Sequence, residues 1–399
     1  MALGVILMAQ AGLNTGCQEN AGLRIDPALL ERARQLARWA LIVDTHVDTP
    51  YQLARVQADI SQRTDKGHFD YVRAREGGLD AVFMAVYVDS EHEDRGDAKA
   101  FADAAIDAVE ALAAQSPDKF VLGRDPDDIR RNFGAEKVTL LMGMENGAPL
   151  EGNLDNLRYF HGRGIRYITL CHSKCNHICD SSFDEHRKWR GLSPFGRDLV
   201  AAMNDMGMVV DVSHVSDETF YQVIERSRTP VVATHSGCRH FTPGFERNMS
   251  DEMIGVLAAK GGVIQINFGS IFLKAGVAAQ FQAFKKQLEQ EIAGKGLAGA
   301  DKEAYADARW KQGRFDRAQV GDVADHIDHV VRLTGIDHVG LGSDFDGVAN
   351  LPVGLEDVSC YPNLIAELLR RGYTPPDIEK IAGGNFLRVW REIMDAAED

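Results

Sequence analysis

The sequence predicts an α/β fold, a (β/α)8 TIM-type barrel with a helical insertion between the seventh and eighth strands. Eight short apolar runs are separated by helical patterns, and six of the runs end in or beside His, Asp or Glu. Apolar runs of about 4 to 8 residues are typical of strands buried on both faces. In a barrel such strand ends meet at one rim, whereas the alternative, a doubly wound open sheet, would not gather six strand ends around one centre.

The elements follow one another as βα units. The predicted strands are residues 40–43, 80–88, 138–144, 165–170, 208–212, 230–234, 262–268 and 338–342. The predicted helices are residues 97–115, 193–206, 216–228, 322–333 and 364–371. A Ser-Pro pair opens the second helix and acidic residues occupy the first turn of the third, both of which are typical helix starts. Strands that alternate with helices indicate a parallel sheet.

Five potential metal ligands lie at these strand ends. His46 and Asp48 are two residues apart, so an extended backbone points both side chains the same way and allows them to bind one ion. His214 and His235 end neighbouring strands and are expected to bind a second ion. Glu145 ends the third strand, and its two carboxylate oxygens suit a bridge between two cations. Imidazole and carboxylate ligands suit zinc, with other divalent metals as the alternative.

Composition restricts the classes of function. Lys plus Arg is 44 and Asp plus Glu is 59, a net charge of −15 that argues against nucleic-acid binding. The sequence contains no apolar run near the roughly 20 residues of a transmembrane span. Residues 21–399 are expected to form a single metallohydrolase domain. Residues 1–20 are interpreted as a leader or signal-like segment, which predicts the periplasm or cell envelope, with the cytoplasm as the alternative.

Two further segments carry expectations. Cys171, Cys175 and Cys179 have neither zinc-knuckle nor iron–sulfur spacing, so we expect buried thiols. The charged stretch 273–319 contains helical patterns at 280–291 and 302–310. It is expected to cap the site or to form a homodimer contact, with a solvated surface hairpin as the alternative.

Several motifs together resemble the membrane (renal) dipeptidase family, zinc metallopeptidases of the amidohydrolase-like barrels. They are DTHVDTP at 44–50, MENG at 144–147, LCHSKCN at 170–176, GLSPFGR at 191–197, GMVVDVSHVS at 207–216, ATHS at 233–236, ERN at 246–248, VGLGSDFDG at 339–347, and the stretch from GLEDV at 354–358 to GNFLR at 384–388. The resemblance extends from about residue 40 to residue 392.

This resemblance implies a site with two zinc ions. The positions equivalent to the family's ligands are occupied by His46, Asp48, Glu145, His214 and His235, with the glutamate as the bridge. The positions equivalent to its substrate contacts are occupied by His172, Arg247 and Asp344.

The chain departs from the family pattern at two points. Asn146 follows the glutamate where a small residue is common, and the segment from His235 to Arg247 is one residue longer than usual. The longer spacing makes Arg239 a second candidate for the role of Arg247.

The expected reaction is hydrolysis of the peptide bond of dipeptides by a metal-bridging hydroxide. Asp344 is expected to act as the general acid and base, and His172 to donate a hydrogen bond to the oxyanion. Arg247 is expected to bind the C-terminal carboxylate of the substrate, since guanidinium binds carboxylate bidentately. The resemblance further implies tolerance of a C-terminal D-amino acid.

Two other functions fit the same residues. One is a binuclear-metal amidohydrolase that acts on an N-acyl amino acid, a cyclic amide or a nucleobase. The other is a metal-binding barrel that has lost catalysis. The sequence has no G-x-S-x-G elbow and no H-E-x-x-H helix, which argues against a serine hydrolase and a zincin.

Overall fold

A parallel β-sheet organises the chain in the computed structural model, which describes residues 25–53, 58–313, 315–348 and 350–397. Its strands are β1 (Ile42–Val47), β2 (Leu79–Tyr87), β3 (Phe120–Leu122), β4 (Val138–Glu145), β5 (Ile165–Thr169), β6 (Val209–Asp211), β7 (Val232–Ser236), β8 (Val263–Ile266) and β9 (Val339–Leu341). All eight predicted strands are present. β3 was not predicted; of its three residues only Phe120 is buried, so it lacks the fully buried apolar run of the barrel strands.

Eight of the strands curve into a nearly closed barrel. Neighbours follow the order β1-β2-β4-β5-β6-β7-β8-β9, and β3 pairs only with β4 outside this path. The first and last strands meet through backbone hydrogen bonds: Asp344 N donates to His46 O at 3.0 Å, and Asp48 N donates to Phe345 O at 2.8 Å. The predicted TIM-type barrel is therefore confirmed.

Helices surround the sheet. In chain order they are α1 (Pro27–Ala37), α2 (Thr49–Leu53), α3 (Tyr71–Gly77), α4 (Ser90–Arg95), α5 (Ala98–Gln115), α6 (Pro126–Asn132), α7 (Leu154–Gly162), α8 (Pro194–Asp205), α9 (Asp217–Arg226), α10 (Asp251–Ala259), α11 (Ser270–Leu273), α12 (Ala275–Lys295), α13 (Gly299–Gln312), α14 (Val320–Thr334), α15 (Tyr361–Arg370), α16 (Pro375–Glu379) and α17 (Asn385–Asp395). Ser193 and Ser216 cap α8 and α9 by accepting hydrogen bonds from backbone N–H groups, as their start signals indicate.

The barrel interior is filled by side chains. Val209, Val232 and Val263, the first residues of three consecutive strands, belong to one buried cluster with Phe386 and Trp390 of α17. Helix α17 therefore packs against the end of the barrel where these strands begin. The opposite end, where the strands finish, carries the polar residues.

The insertion between β8 and β9 is helical, as predicted. Helices α12 and α13 include both expected helical stretches, and Leu288, Ile292 and Ala306 form a small hydrophobic cluster of their own between them. Phe281 of α12 lines the cleft at the carboxyl ends of the barrel strands, so the insertion contributes to the wall of the site. A homodimer contact through this insertion stays a prediction.

The terminal and cysteine predictions have different outcomes. Residues 1–20 lie outside the described residues, so the leader and the predicted export stay predictions. Within the described ranges, no helix is both long and apolar enough to cross a membrane. Cys171, Cys175 and Cys179 are buried free thiols, which confirms their structural interpretation.

Candidate metal centre and substrate cleft

Glu145 is the last residue of β4 and lies among the other candidate ligands at the carboxyl ends of the strands. Its carboxylate is buried, and its two oxygens have different neighbours. Oε2 lies 3.4 Å from His46 Nε2, while Oε1 lies 3.1 Å from His214 Nε2 and 3.3 Å from His235 Nε2. The two oxygens therefore face different imidazoles, an arrangement that suits a bridging carboxylate, and His46, Glu145 and His235 also share one cluster of potential ligands.

The first donor group contains His46, Asp48 and Glu145. His46 Nε2 lies 3.4 Å from Asp48 Oδ2 and 3.4 Å from Glu145 Oε2. Ligands at zinc-to-nitrogen distances of about 2.1 Å stand about 3.4 Å apart on a tetrahedron. His46 Nε2 is also buried, with no hydrogen-bond partner in the part of the chain that the structure describes. Since a buried polar atom normally has a partner, this nitrogen fits a metal ligand.

The second donor group contains His214, His235 and the other oxygen of Glu145. The two Nε2 atoms lie 2.9 Å apart. Burial lowers the pKa of both imidazoles well below the usual value, so both rings are neutral. Neutral imidazole is the form that binds a metal ion. His172 adjoins this group, with Nε2 3.7 Å from Glu145 Oε1.

Hydrogen bonds behind the rings orient two of these histidines. His46 Nδ1 lies 2.8 Å from Tyr167 Oη. His235 Nδ1 lies 2.9 Å from Thr234 Oγ1, whose hydroxyl donates to Asp211 Oδ2 at 2.6 Å. Such partners hold the opposite ring nitrogen, Nε2, toward a metal. These three supporting residues were not predicted from the sequence, although a carboxylate within an apolar strand, as at Asp211, is unusual enough to indicate a supporting role.

Asp344 stands beside the first donor group. Its carboxylate shares a potential metal-binding cluster with His46 and Asp48, and Asn267 Nδ2 donates to its Oδ2 at 2.7 Å. Burial and then the nearby charge of Asp48 raise the pKa of Asp344 well above its usual value. A carboxyl group with a raised pKa can both accept and release a proton near neutral pH.

Several residues of the rim adopt a left-handed backbone. The φ angles are 69° at His214, 62° at Asp344 and 74° at Asn146. Such strain is concentrated at functional sites. Asparagine tolerates this conformation better than most residues. The Asn146 amide donates to Val88 O at 2.8 Å and accepts from Ala148 N at 3.3 Å, which accounts for this departure from the family pattern.

The two candidate arginines differ in their surroundings. Arg239 is paired with Asp217, with Nη1 2.7 Å from Oδ2. Arg247 is buried beside the rim, where it donates to His235 O at 2.6 Å and to Ser236 Oγ at 2.9 Å. Its Nε has no hydrogen-bond partner among the described residues. Arg247 therefore lies beside the rim despite the additional residue, although it is not among the described residues that line the cleft. Arg239 is engaged by Asp217.

A cleft opens over these groups. Its polar lining includes Asp48, Glu145, His172, His214 and Asp344, so most of the predicted site residues share one space. The remaining lining is largely aromatic and aliphatic, and consists of Tyr51, Tyr87, Phe183, Phe245, Ile271, Phe272, Phe281 and Val348, with Gln52, Ser173, Asp346 and Gly347. Clefts of this kind are typical small-molecule sites.

Another group of potential ligands, His240, Asp251 and His329, lies outside the cleft. His329 Nε2 is 2.7 Å from Asp251 Oδ1, and the ring of His240 stacks on that of His329. These contacts account for the group as a hydrogen-bonded His329–Asp251 pair with a stacked His240 ring. His326, one turn earlier on α14, is buried and accepts from Cys238 N at 3.0 Å.

The chain is similar to known proteins over most of its length. The family model described as Membrane dipeptidase (Peptidase family M19) matches residues 30–399. Dipeptidase tcpJ of Claviceps purpurea is 35% identical over 339 residues, which cover 83% of this chain and 70% of that protein.

Solved structures share the fold. The probable dipeptidase PvdM from Pseudomonas aeruginosa has a TM-score of 0.82 at 28% identity, over 93% of this chain and 100% of that chain. A metallo peptidase from Rhodobacter sphaeroides, liganded with a phosphinate mimic of the dipeptide L-Ala-D-Ala, has a TM-score of 0.73 at 24% identity, over 89% and 99% of the two chains. The chain therefore belongs to the membrane dipeptidase family, peptidase family M19.

Proposed function

We propose that this chain is a zinc-dependent dipeptidase whose substrates include dipeptides with a C-terminal D-amino acid. The observation that carries the proposal is the position of Glu145 between two donor groups, with one oxygen toward His46 and the other toward His214 and His235. One zinc ion would be held by His46, Asp48 and Glu145. The other would be held by Glu145, His214 and His235.

Two zinc ions, when bound, would polarise the peptide carbonyl and lower the pKa of the attacking water. Asp344 would take the proton of this water and transfer it to the leaving amine. Its raised pKa and its place beside Asp48 support that role. His172 would donate a hydrogen bond to the oxygen of the scissile carbonyl as negative charge develops there.

Arg247 would bind the substrate's terminal carboxylate. Its guanidinium is buried, and its Nε–H has no partner within the described residues. A buried donor without a partner is costly, and a carboxylate ligand would satisfy it. The carboxylates of the rim would attract the free amino group at the other end of the substrate. Recognition of both ends would restrict substrates to dipeptides.

The test is hydrolysis of L-Ala-D-Ala and L-Ala-L-Ala by the zinc-loaded enzyme, beside an Asp344→Asn variant whose zinc content is measured. We expect turnover of both dipeptides by the wild type, and a variant that keeps its zinc but loses activity at least about 100-fold. A fully zinc-loaded wild type without activity on either dipeptide would overturn the proposal.

The same assay separates dipeptidase activity from the amidohydrolase alternative. N-acetyl-D-alanine keeps the carboxylate that Arg247 would bind but has no free amino group. We expect the enzyme to prefer L-Ala-D-Ala over this compound, whereas a preference for the N-acyl amino acid would favour the alternative.

A further inference from the structure

Four phenylalanines, Phe183, Phe245, Phe272 and Phe281, line one part of the cleft and are called the aromatic wall here. The rings of Phe245 and Phe272 are nearly parallel, with centroids 5.9 Å apart and 9° between their planes. The ring of Phe183 lies 5.9 Å from that of Phe245. These contacts join Phe183, Phe245 and Phe272 into one apolar surface in the cleft that also contains the polar rim.

The aromatic wall is adjacent to Arg247. The central guanidinium carbon of Arg247 lies 5.3 Å from the centre of the Phe272 ring. This step rests on the proposed function: if Arg247 binds the terminal carboxylate, the residue that carries this carboxylate lies against Phe272. The carboxylate and the side chain of that residue are attached to the same Cα, so the side chain is also close to the wall.

Phe281 comes from the insertion and lines the same cleft. The residue is 7% exposed, and its ring stacks on that of Trp310 of α13 with centroids 5.0 Å apart. Trp310 packs in turn against Phe284 at 4.7 Å and Phe315 at 6.1 Å. The aromatic cluster of the insertion therefore supports Phe281 from one side, while the ring also lines the cleft.

We propose that the aromatic wall binds the side chain of the substrate's C-terminal residue, and that Phe281 determines a preference for large apolar side chains there. An aromatic or long aliphatic side chain would remove apolar surface of both partners from water, which a glycine does not do.

The experiment measures kcat/KM of the zinc-loaded enzyme for L-Ala-L-Phe, L-Ala-Gly and L-Phe-Gly. We expect the wild type to favour L-Ala-L-Phe over L-Ala-Gly by at least about tenfold. Phe281→Ala should lower this ratio by about tenfold or more, mainly through KM, since the ring contacts are made in both the ground state and the transition state.

Phe284→Ala is the matched control. Phe284 packs on the same Trp310 but does not line the cleft, so this variant should keep the wild-type ratio. An equal loss in both variants would mean that the effect comes from the fold of the insertion and would overturn the role of Phe281. A loss confined to L-Phe-Gly would overturn the assignment of the wall to the C-terminal residue.

Two other outcomes separate this inference from the proposed function. Hydrolysis of all three dipeptides without a preference for L-Ala-L-Phe would overturn the inference and leave the dipeptidase proposal intact. No hydrolysis of any dipeptide by zinc-loaded enzyme would overturn both.

Discussion

The metal-centre rim and the insertion helices α12 and α13 are held in place by different interactions. At the rim, buried Asp44 accepts hydrogen bonds from His46 N at 3.1 Å and Ser343 N at 3.0 Å, and so connects β1 to the segment after β9. In the insertion, Glu291 pairs with Arg309 at 2.7 Å through side chains that are 25% and 23% exposed. Buried contacts orient the rim, while solvent-accessible contacts hold part of the insertion.

This difference indicates that the rim and the insertion have different roles. Catalytic groups need positions defined to a fraction of an ångström, and buried hydrogen bonds to the backbone supply this definition. A wall that contacts a substrate side chain needs shape and apolar surface but less exact geometry. We therefore expect substitutions at the rim to affect metal binding and turnover, and substitutions on the insertion to affect substrate preference or very little.

The largest effect is expected at Glu145. Glu145→Gln removes the negative charge between the donor groups and replaces one oxygen by an amide nitrogen, which is a poor metal ligand. We expect loss of most bound zinc and a fall in kcat/KM of about 1,000-fold or more. Metal analysis and kinetics on the same sample would measure both. Glu289→Gln, an exposed change on α12, is the control, and a Glu145→Gln variant that retains two zinc ions would contradict the bridge.

A smaller effect is expected at Thr234, whose hydroxyl contacts His235 Nδ1. Thr234→Val keeps the shape of the side chain but removes the hydroxyl between His235 Nδ1 and Asp211. We expect zinc affinity to fall by about 10- to 100-fold, as measured by competition with a chelator. Thr334→Val at the end of α14 is the control, since its hydroxyl bonds only Val330 O. Unchanged zinc affinity in Thr234→Val would show that the hydroxyl does not support the ligand.

The junction between rim and insertion should respond to pH. His326 accepts from Cys238 N, and its Nε2 lies 3.2 Å from Leu273 O, at the start of the insertion. Burial lowers the pKa of His326 to about 3. The folded state therefore keeps this ring neutral while the unfolded chain binds a proton below about pH 6.5. Its contribution to stability is complete above that pH and is lost as the pH falls toward 3, by up to about 1.4 kcal/mol per pH unit.

Urea unfolding between pH 7 and pH 5 would measure this loss. We expect the unfolding of His326→Gln to take up about one proton fewer than the unfolding of the wild type. The free energy of unfolding of the variant should therefore depend less on pH. His186→Gln is the control, because the His186 side chain is 95% exposed. Identical pH dependence of wild type and His326→Gln would contradict the assignment.

The smallest effect is expected at the ion pair of the insertion. Glu291→Gln removes the charge that pairs with Arg309 near the surface. Pairs of this kind contribute little to stability, so we expect a shift of the melting temperature within about 1 °C and an L-Ala-L-Ala kcat/KM within about twofold of wild type. Thermal unfolding and kinetics would test this. A large loss of activity would show that the insertion orients the rim, and would contradict the separate roles of the two regions.

The barrel was predictable because burial on both faces leaves a strong signal in short segments. Each strand of the barrel was predicted close to its observed position, and the two-residue spacing of His46 and Asp48 was sufficient to place both side chains on one side of the chain. β3 escaped prediction because it lies outside the barrel and only one of its three residues is buried. The ends of the five predicted helices depend on local caps and differed by up to three residues from their predicted bounds, and α12 begins five residues before its predicted stretch.

The amino-acid sequence was sufficient for the strand order, the rim and the identity of the candidate ligands, because hydrophobic period and motif spacing are local properties of the chain. Only the three-dimensional fold revealed Tyr167 behind His46, Asn267 beside Asp344 and Phe281 in the cleft. The two hydrogen-bonded pairs, Tyr167 with His46 and Asn267 with Asp344, are 121 and 77 residues apart in the sequence. Such contacts arise when the barrel closes and distant side chains become neighbours, and no local pattern encodes that proximity.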